Sequence, residues 1–211
     1  FEDCCEAHGS KLKNKYTGSW GLISAFSFFV AHNMTTGEGG IICTNDKELK
    51  DLCCSFREFG RIKQSNLTSK RYFSSRNLKD YDKRYVFENI GYNMRMNDLS
   101  ASLGIEQLKK LEKFNRIRIK NAKYLHSKLK LNFNDYFEFP SMVFNQSNSF
   151  YTFPILLKKN NKFSRKDLCL FLEKYKIETR PMMAGCLPDQ PALKKVKYMK
   201  IGNLKNSKII K

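Results

Sequence analysis

Of the three histidines in this 211-residue chain, His32 stands where an imidazole could do chemistry. An apolar, aromatic run from Leu22 to Phe29 precedes it, and Gly37, Gly39 and Gly40 follow it. Imidazole takes up and releases protons near neutral pH, so His32 is a candidate general base and acid. Ser27, five residues earlier, offers a hydroxyl that can donate to an anion without adding charge. Asp3, Glu6, Asn93 and Arg180 complete the polar candidates. Each has a plainer reading when taken singly. His32 can be a packed loop histidine, Asp3 a turn cap, Ser27 a buried strand serine, Asn93 a turn residue and Arg180 a surface group before Pro181. Residue types alone leave these pairs of readings open. Glu38 and its neighbouring glycines are expected to shape the loop, and no role is assigned to His8 or His126.

The elements that must hold these residues read as alternating strand and helix. Leu22 to Phe29 suits a short buried strand, Val30 to Thr36 a loop, and Ile41 to Thr44 a second strand. Asn45 or Asp46 can cap a helix over Glu48 to Phe59. Arg61 to Lys83 is polar and without period, and is expected to be a long loop. Asn97 or Asp98 can cap a further helix, with Leu99, Leu103, Leu108, Leu111 and Phe114 as its apolar stripe and more helix through Leu129. Residues 131–149 read as a linker and Phe150 to Leu157 as a strand. Ser164 caps a helix to about Tyr175 with Leu168, Phe171 and Leu172 facing the core, and Lys176 to Thr179 is a short extended piece. The expected division is 1–130 and 131–211.

The apolar share of 41% and aromatic share of 13% exclude a disordered segment. A net charge of +19 is spread along the whole length, in clusters such as Lys109-Lys110, Lys158-Lys159 and Lys194-Lys195, which read as solvated faces. No nucleic-acid motif accompanies them, so nucleic acid is not an expected partner. Seven cysteines without a CxxC, four of them in the vicinal pairs Cys4-Cys5 and Cys53-Cys54, suggest neither a disulfide framework nor a metal site. They point to a reducing, cytoplasmic compartment. No apolar run is long enough to span a bilayer. The chain opens Phe1-Glu2-Asp3 without a methionine or basic leader, which reads like a buried strand entered from its middle, so the sequence is expected to be a fragment.

Four segments, in order, carry a family resemblance: Glu2-Asp3-Cys4-Cys5-Glu6-Ala7-His8-Gly9, Gly18-Ser19-Trp20-Gly21, Phe26 to Gly40 around His32, and Gly91-Tyr92-Asn93-Met94-Arg95-Met96. Across essentially all of its length the chain resembles the DegT/DnrJ/EryC/StrS sugar aminotransferases, pyridoxal-phosphate enzymes acting on nucleotide-linked keto sugars. His32, Tyr81 to Tyr85, Thr179-Arg180-Pro181, Ala184-Gly185 and Gln190-Pro191-Ala192 resemble the 3-dehydratase branch, which removes the sugar 3-hydroxyl.

The resemblance implies an α/β fold of the aspartate-aminotransferase type, here the C-terminal part of the large domain plus most of the small one. It implies pyridoxal or pyridoxamine 5′-phosphate as cofactor and a 4-keto-6-deoxyhexose nucleotide as substrate. His32 takes the place of the Schiff-base lysine. Histidine cannot form that bond but can move protons, which suits a non-covalently held amine cofactor and elimination of the C3 hydroxyl. Asp3 is implied as the partner of the ring nitrogen, whose protonation strengthens the electron sink. Glu6 lies near the ring, Ser27 binds the phosphate, and Asn93 reaches the neighbouring subunit's phosphate, so a homodimer with shared sites is implied. Arg180 is implied as a contact to the sugar nucleotide.

Two departures matter. One branch member holds a two-iron two-sulfur cluster, but only Cys5 matches its cysteines; Ile62, Lys63, Gln64 and Ser65 stand where others belong, so no such cluster is expected. Cys186, Pro188 and Asp189 stand where the branch commonly has Asn, Thr or Ile, and Arg. An aminotransferase-like enzyme of altered chemistry and an inactive binding relative are the competing expectations.

Overall fold

The computed structural model describes residues 1–63, 66, 70–139, 146–159 and 162–210. Gln64 and Ser65 therefore lie outside the described residues, as does part of the expected linker. The chain divides into two units, one of residues 1–125 and 141–153 and the other of 126–140 and 154–211. The division passes within a continuous helix, and 141–153 belongs with the first unit, in contrast to the single cut expected near residue 130.

In the first unit, strand β1 (Glu2–Asp3) pairs in parallel with β4 (Ile23–Ser27), which pairs antiparallel with β5 (Gly40–Thr44). A ribbon of β2 (Lys11–Leu12), β3 (Lys15–Tyr16) and β7 (Gln146–Ser147) joins the start of the chain to a segment far along it. The turn between β3 and β4 owes its shape to Glu2, whose carboxylate accepts the backbone N–H groups of Gly18 and Trp20, both at 2.7 Å, and that of Gly21. Those bonds, Gly21 first, hold its carboxyl below the usual carboxylate range.

Helix α1 (Lys47–Arg57) starts at Asp46, whose side chain accepts from the Leu49 N–H at 2.9 Å, as its position before the helix implies. The Gly91 to Met94 segment docks on the end of α1 through Tyr92 N–H to Phe56 O (2.7 Å) and Met94 N–H to Arg57 O (3.0 Å). Gly60 and Gly91 pass so closely there that a Cβ on either would strike the other's backbone segment.

The stretch expected to be a long loop is not structureless. It contains helix α2 (Lys70–Ser75), and Ile62, Phe73 and Val86 form a buried cluster with Leu78 packed against it. The cluster joins residues too far apart in sequence to show a period, which is why the pattern did not reveal it. Helix α3 (Asp98–Phe133) runs 36 residues, with Asn97 Oδ1 accepting the Ser100 N–H at 2.8 Å. Its buried residues are Asn115 and Ala122, whereas Leu99, Leu103 and Leu108 of the expected stripe are exposed. Their periodicity marks a face that nothing among the described residues covers.

The second unit holds the antiparallel pair β6 (Phe137–Glu138) and β8 (Leu156–Leu157), helix α4 (Arg165–Lys174) and the short helix α5 (Lys205–Ile209). Ser164 and Asp167 close the capping box that begins α4. Leu168 and Leu172 are half-buried, but Phe171 is exposed and packs instead on the Tyr175 ring, 4.8 Å between centroids. Strand structure in the Phe150 to Leu157 stretch is confined to β8, and Lys176 has positive φ rather than an extended backbone.

Phe73→Ala is expected to cost about 3 to 5 kcal/mol in urea unfolding, because it empties the centre of the Ile62–Val86 cluster. A cost near zero would return this stretch to a surface loop.

Candidate functional site

The parallel register of β1 on β4 sets Asp3 opposite Ala25. Ser27 is two residues further along β4, so Asp3, Ala25 and Ser27 share one sheet face. Strand spacing puts the Cα atoms of Asp3 and Ser27 about 8 Å apart. His32 lies just beyond the end of β4, in a turn closed by its N–H donating to Phe29 O at 3.0 Å.

The His32 ring has a defined direction. Its Nδ1 lies 3.3 Å from the Ser27 carbonyl oxygen, and a carbonyl can only accept. A hydrogen bond there is donated by Nδ1, so in the neutral imidazole Nε2 keeps the lone pair, the form a general base needs. Phe29 and Tyr151 meet the imidazole edge-on, at 5.9 and 5.3 Å between centroids. The carbonyls of Phe150 and Tyr151 accept from Arg118 Nη1 at 3.3 and 3.1 Å, which fixes the chain beside that ring.

Asp3 is exposed, and its Oδ1 accepts the Cys5 N–H at 3.1 Å. The Cys5 thiol and backbone, with His32 nearby, hold the carboxyl below its ordinary range against partial desolvation. The same contact pushes the Cys5 thiol up to about 11, so this sulfur stays protonated rather than offering a thiolate. Ser27 Oγ accepts from the Phe29 N–H at 3.2 Å, leaving its hydroxyl hydrogen to donate outward. A carboxylate and a hydroxyl at this separation on one sheet face, with an imidazole beyond them, fit a pyridine ring that bears a phosphate arm. The chemistry of the donor set thus matches the expected cofactor. Among the described residues, no three His, Cys, Asp or Glu side chains converge to hold a metal ion.

The other expected residues lie differently. Glu6 is exposed in the turn after β1, where Ala7 N–H donates to Cys4 O at 3.0 Å. Asn93 is exposed in the segment docked on α1, bridged to Glu58. Arg180 belongs to the second unit, with its guanidinium on Glu178 Oε1 at 2.8 and 2.9 Å. A concavity of about 310 Å³ between Gly39-Gly40 and Arg95 to Ser100 includes neither Asp3 nor His32.

His8, given no role in the sequence, lies almost fully buried between the Phe26 and Phe28 rings. Neither of its ring nitrogens makes a hydrogen bond of good geometry. The Ser27 carbonyl, which pulls weakly toward protonation, is already engaged by His32. Burial first, then the nearby His32, push the His8 imidazole down to about 4 from 6.5.

The chain matches the DegT/DnrJ/EryC1/StrS aminotransferase family over residues 1–211 and belongs to it. It is 35% identical over 214 residues to the lipopolysaccharide biosynthesis protein RfbH of Salmonella typhimurium, covering 98% of this chain and 49% of that protein. It is 33% identical over 215 residues to a GDP-4-keto-6-deoxy-D-mannose 3-dehydratase of Escherichia coli, covering 100% of this chain and 53% of that protein. Among solved structures, the E. coli GDP-4-keto-6-deoxy-D-mannose-3-dehydratase with bound hydrated PLP matches with a TM-score of 0.83 at 31% identity, over 99% of this chain and 53% of that one. The fold is therefore the α/β fold of these pyridoxal-phosphate-dependent, aminotransferase-like enzymes. The chain spans about half the length of the curated relatives it matches.

Between pH 6.5 and about 4 the unfolded chain protonates His8 while the folded chain resists, so stability falls as pH drops through that window. His8→Phe should flatten the dependence of thermal midpoint on pH across this range. Equal slopes for the two proteins would contradict the buried, neutral His8.

Proposed function

We propose that this chain forms the His32-bearing part of an enzyme that removes the C3 hydroxyl from a nucleotide-linked 4-keto-6-deoxyhexose, with pyridoxamine or pyridoxal 5′-phosphate as cofactor. The observation that carries this reading is the His32 imidazole, oriented through Nδ1 with its Nε2 lone pair available, at the end of the strand that holds Ser27 beside Asp3. A lysine there would commit the site to covalent cofactor capture. A histidine commits it to proton transfer.

When bound, the amine form of the cofactor supplies the nitrogen that condenses with the C4 ketone and a ring that accepts electrons. Asp3, ionised at neutral pH, holds the proton on the ring nitrogen. The Ser27 hydroxyl donates to the phosphate. With the cofactor in place, His32 Nε2 would serve as the base that accepts a proton and as the acid that returns it to the departing C3 hydroxyl, which would leave as water. The Ser27 carbonyl keeps the imidazole in the correct tautomer while this happens. Glu6 stands near the ring, and Asn93 reaches the phosphate in a second copy, so the working unit is a homodimer. Arg180 is the proposed contact to the sugar nucleotide. Dehydratase relatives acting on a GDP-linked sugar, similar over nearly the whole chain, support this substrate class.

The test uses the whole protein that contains this chain, given pyridoxamine phosphate, glutamate and a panel of nucleotide-linked 4-keto-6-deoxyhexoses. A 3-deoxy keto sugar is the expected product. His32→Asn should retain the cofactor but lower the rate by roughly 10² to 10⁴-fold, the usual loss of a general base. An unchanged rate in that variant would remove His32 from the chemistry.

A further inference from the structure

The loop that carries His32 is tied to helix α3 by a pair of buried amides. Asn33 is 2% exposed and Asn115 9%. Asn33 Nδ2 donates to Asn115 Oδ1 at 3.2 Å and to the Ser149 carbonyl at 3.3 Å. Asn115 Nδ2 donates in turn to the His8 carbonyl at 2.8 Å. Ser149, itself buried, exchanges hydrogen bonds with Ser10, its N–H and its Oγ each 2.9 Å from Ser10 Oγ. A polar chain thus joins the turn after β1, the His32 loop, α3 and the segment leading to Tyr151, all within the first unit.

A buried amide is costly unless paired, and an apolar pair of similar shape would fill the space without needing a partner. What the amides add is uniqueness: one placement of the loop makes the three amide donor bonds, although Asn33 Oδ1 is buried there without a partner among the described residues. Bonds within the loop, such as Thr36 N–H to Phe28 O at 2.9 Å, fix its own shape. The Asn33 amide fixes where that shape sits. The close approach of Gly9 belongs to the same arrangement, since a Cβ there would fall 2.6 Å from Asn115 Nδ2.

The residue after His32 is therefore anchored, and the anchor acts on a sensitive contact. The His32 Nδ1 to Ser27 carbonyl distance of 3.3 Å lies just beyond the usual range of roughly 2.7 to 3.2 Å, so a further shift of a few tenths of an ångström breaks the contact. We infer that Asn33 and Asn115 are positioning residues, an amide clasp from helix α3 that holds the His32 imidazole on the Ser27 carbonyl with Nε2 free. The consequence for catalysis rests on the reading of His32 as the base. The clasp itself does not.

In the whole protein that contains this chain, labelled on histidine, the His32 signals are assigned by their loss in His32→Asn and its ring nitrogens are followed by long-range ¹H–¹⁵N spectra at mildly alkaline pH. The wild type should show His32 with the proton on Nδ1. Asn33→Ala and Asn115→Ala should each convert it toward the Nε2-protonated pattern of free imidazole, with His126, in the other unit, unchanged. Asn115→Leu, which keeps a side chain of similar shape but offers Asn33 no acceptor, should lose the Nδ1 pattern as the alanine variants do. Folded alanine or leucine variants that retain Nδ1–H would overturn the clasp. Should Asn115→Ala fail to fold, Asn33→Ala carries the same reading, because it leaves the Asn115 bond to His8 in place. A tautomer change in a protein that dehydrates no sugar would leave the clasp standing and remove the proposed reaction, so the two failures are separable.

Discussion

The site depends on a parallel pairing of only two residues with the end of another strand. Glu2 lies opposite Ser24 and Asp3 opposite Ala25, and from this register the shared face of Asp3 and Ser27 follows. A slip by one residue would turn Asp3 to the other face of the sheet. Glu2 opposes such a slip from the neighbouring position, since its carboxylate is committed to three backbone N–H groups in the turn that leads into β4. One acidic residue secures the register, and the next is placed by it.

From that register the arrangement extends outward through polar groups more than through apolar packing. The Ser27 carbonyl orients His32, the Asn33 amide reaches α3, and Arg118 on the same helix holds the backbone beside Tyr151. A long helix is a rigid support, and functional groups placed against such elements keep their geometry better than groups on free loops. The helix presents Asn115 inward while Leu99, Leu103 and Leu108 are exposed. Its buried polar residue, rather than its leucine stripe, is what meets the loop that carries His32.

Much of this was readable in the sequence where local rules decide. The Asp46 and Ser164 caps, the strands around Ile23 and Ile41, and the start of α3 all carry signals within a few residues of where they act. The Asp3, Ser27 and His32 candidates rest on motif spacing. The Ile62, Phe73 and Val86 cluster was not, since no period links its members. Nor was the amide clasp, because asparagine is an ordinary loop and surface residue and the partners of Asn33 lie 82 and 116 residues away. His8 escaped for the opposite reason: a histidine between Phe26 and Phe28 leaves no sequence trace until the strand brings both rings to it.

The central claim is that β1, β4 and the loop after it make one cofactor face with a proton-transferring nitrogen at its end. A crystal structure of the whole protein soaked with pyridoxamine 5′-phosphate tests it most directly. The account predicts the ring nitrogen about 3 Å from the Asp3 carboxylate, the phosphate on Ser27, and His32 Nε2 turned toward the cofactor's amine-bearing carbon. A ring bound away from Asp3, or a His32 that presents Nε2 to the Ser27 carbonyl, would contradict it.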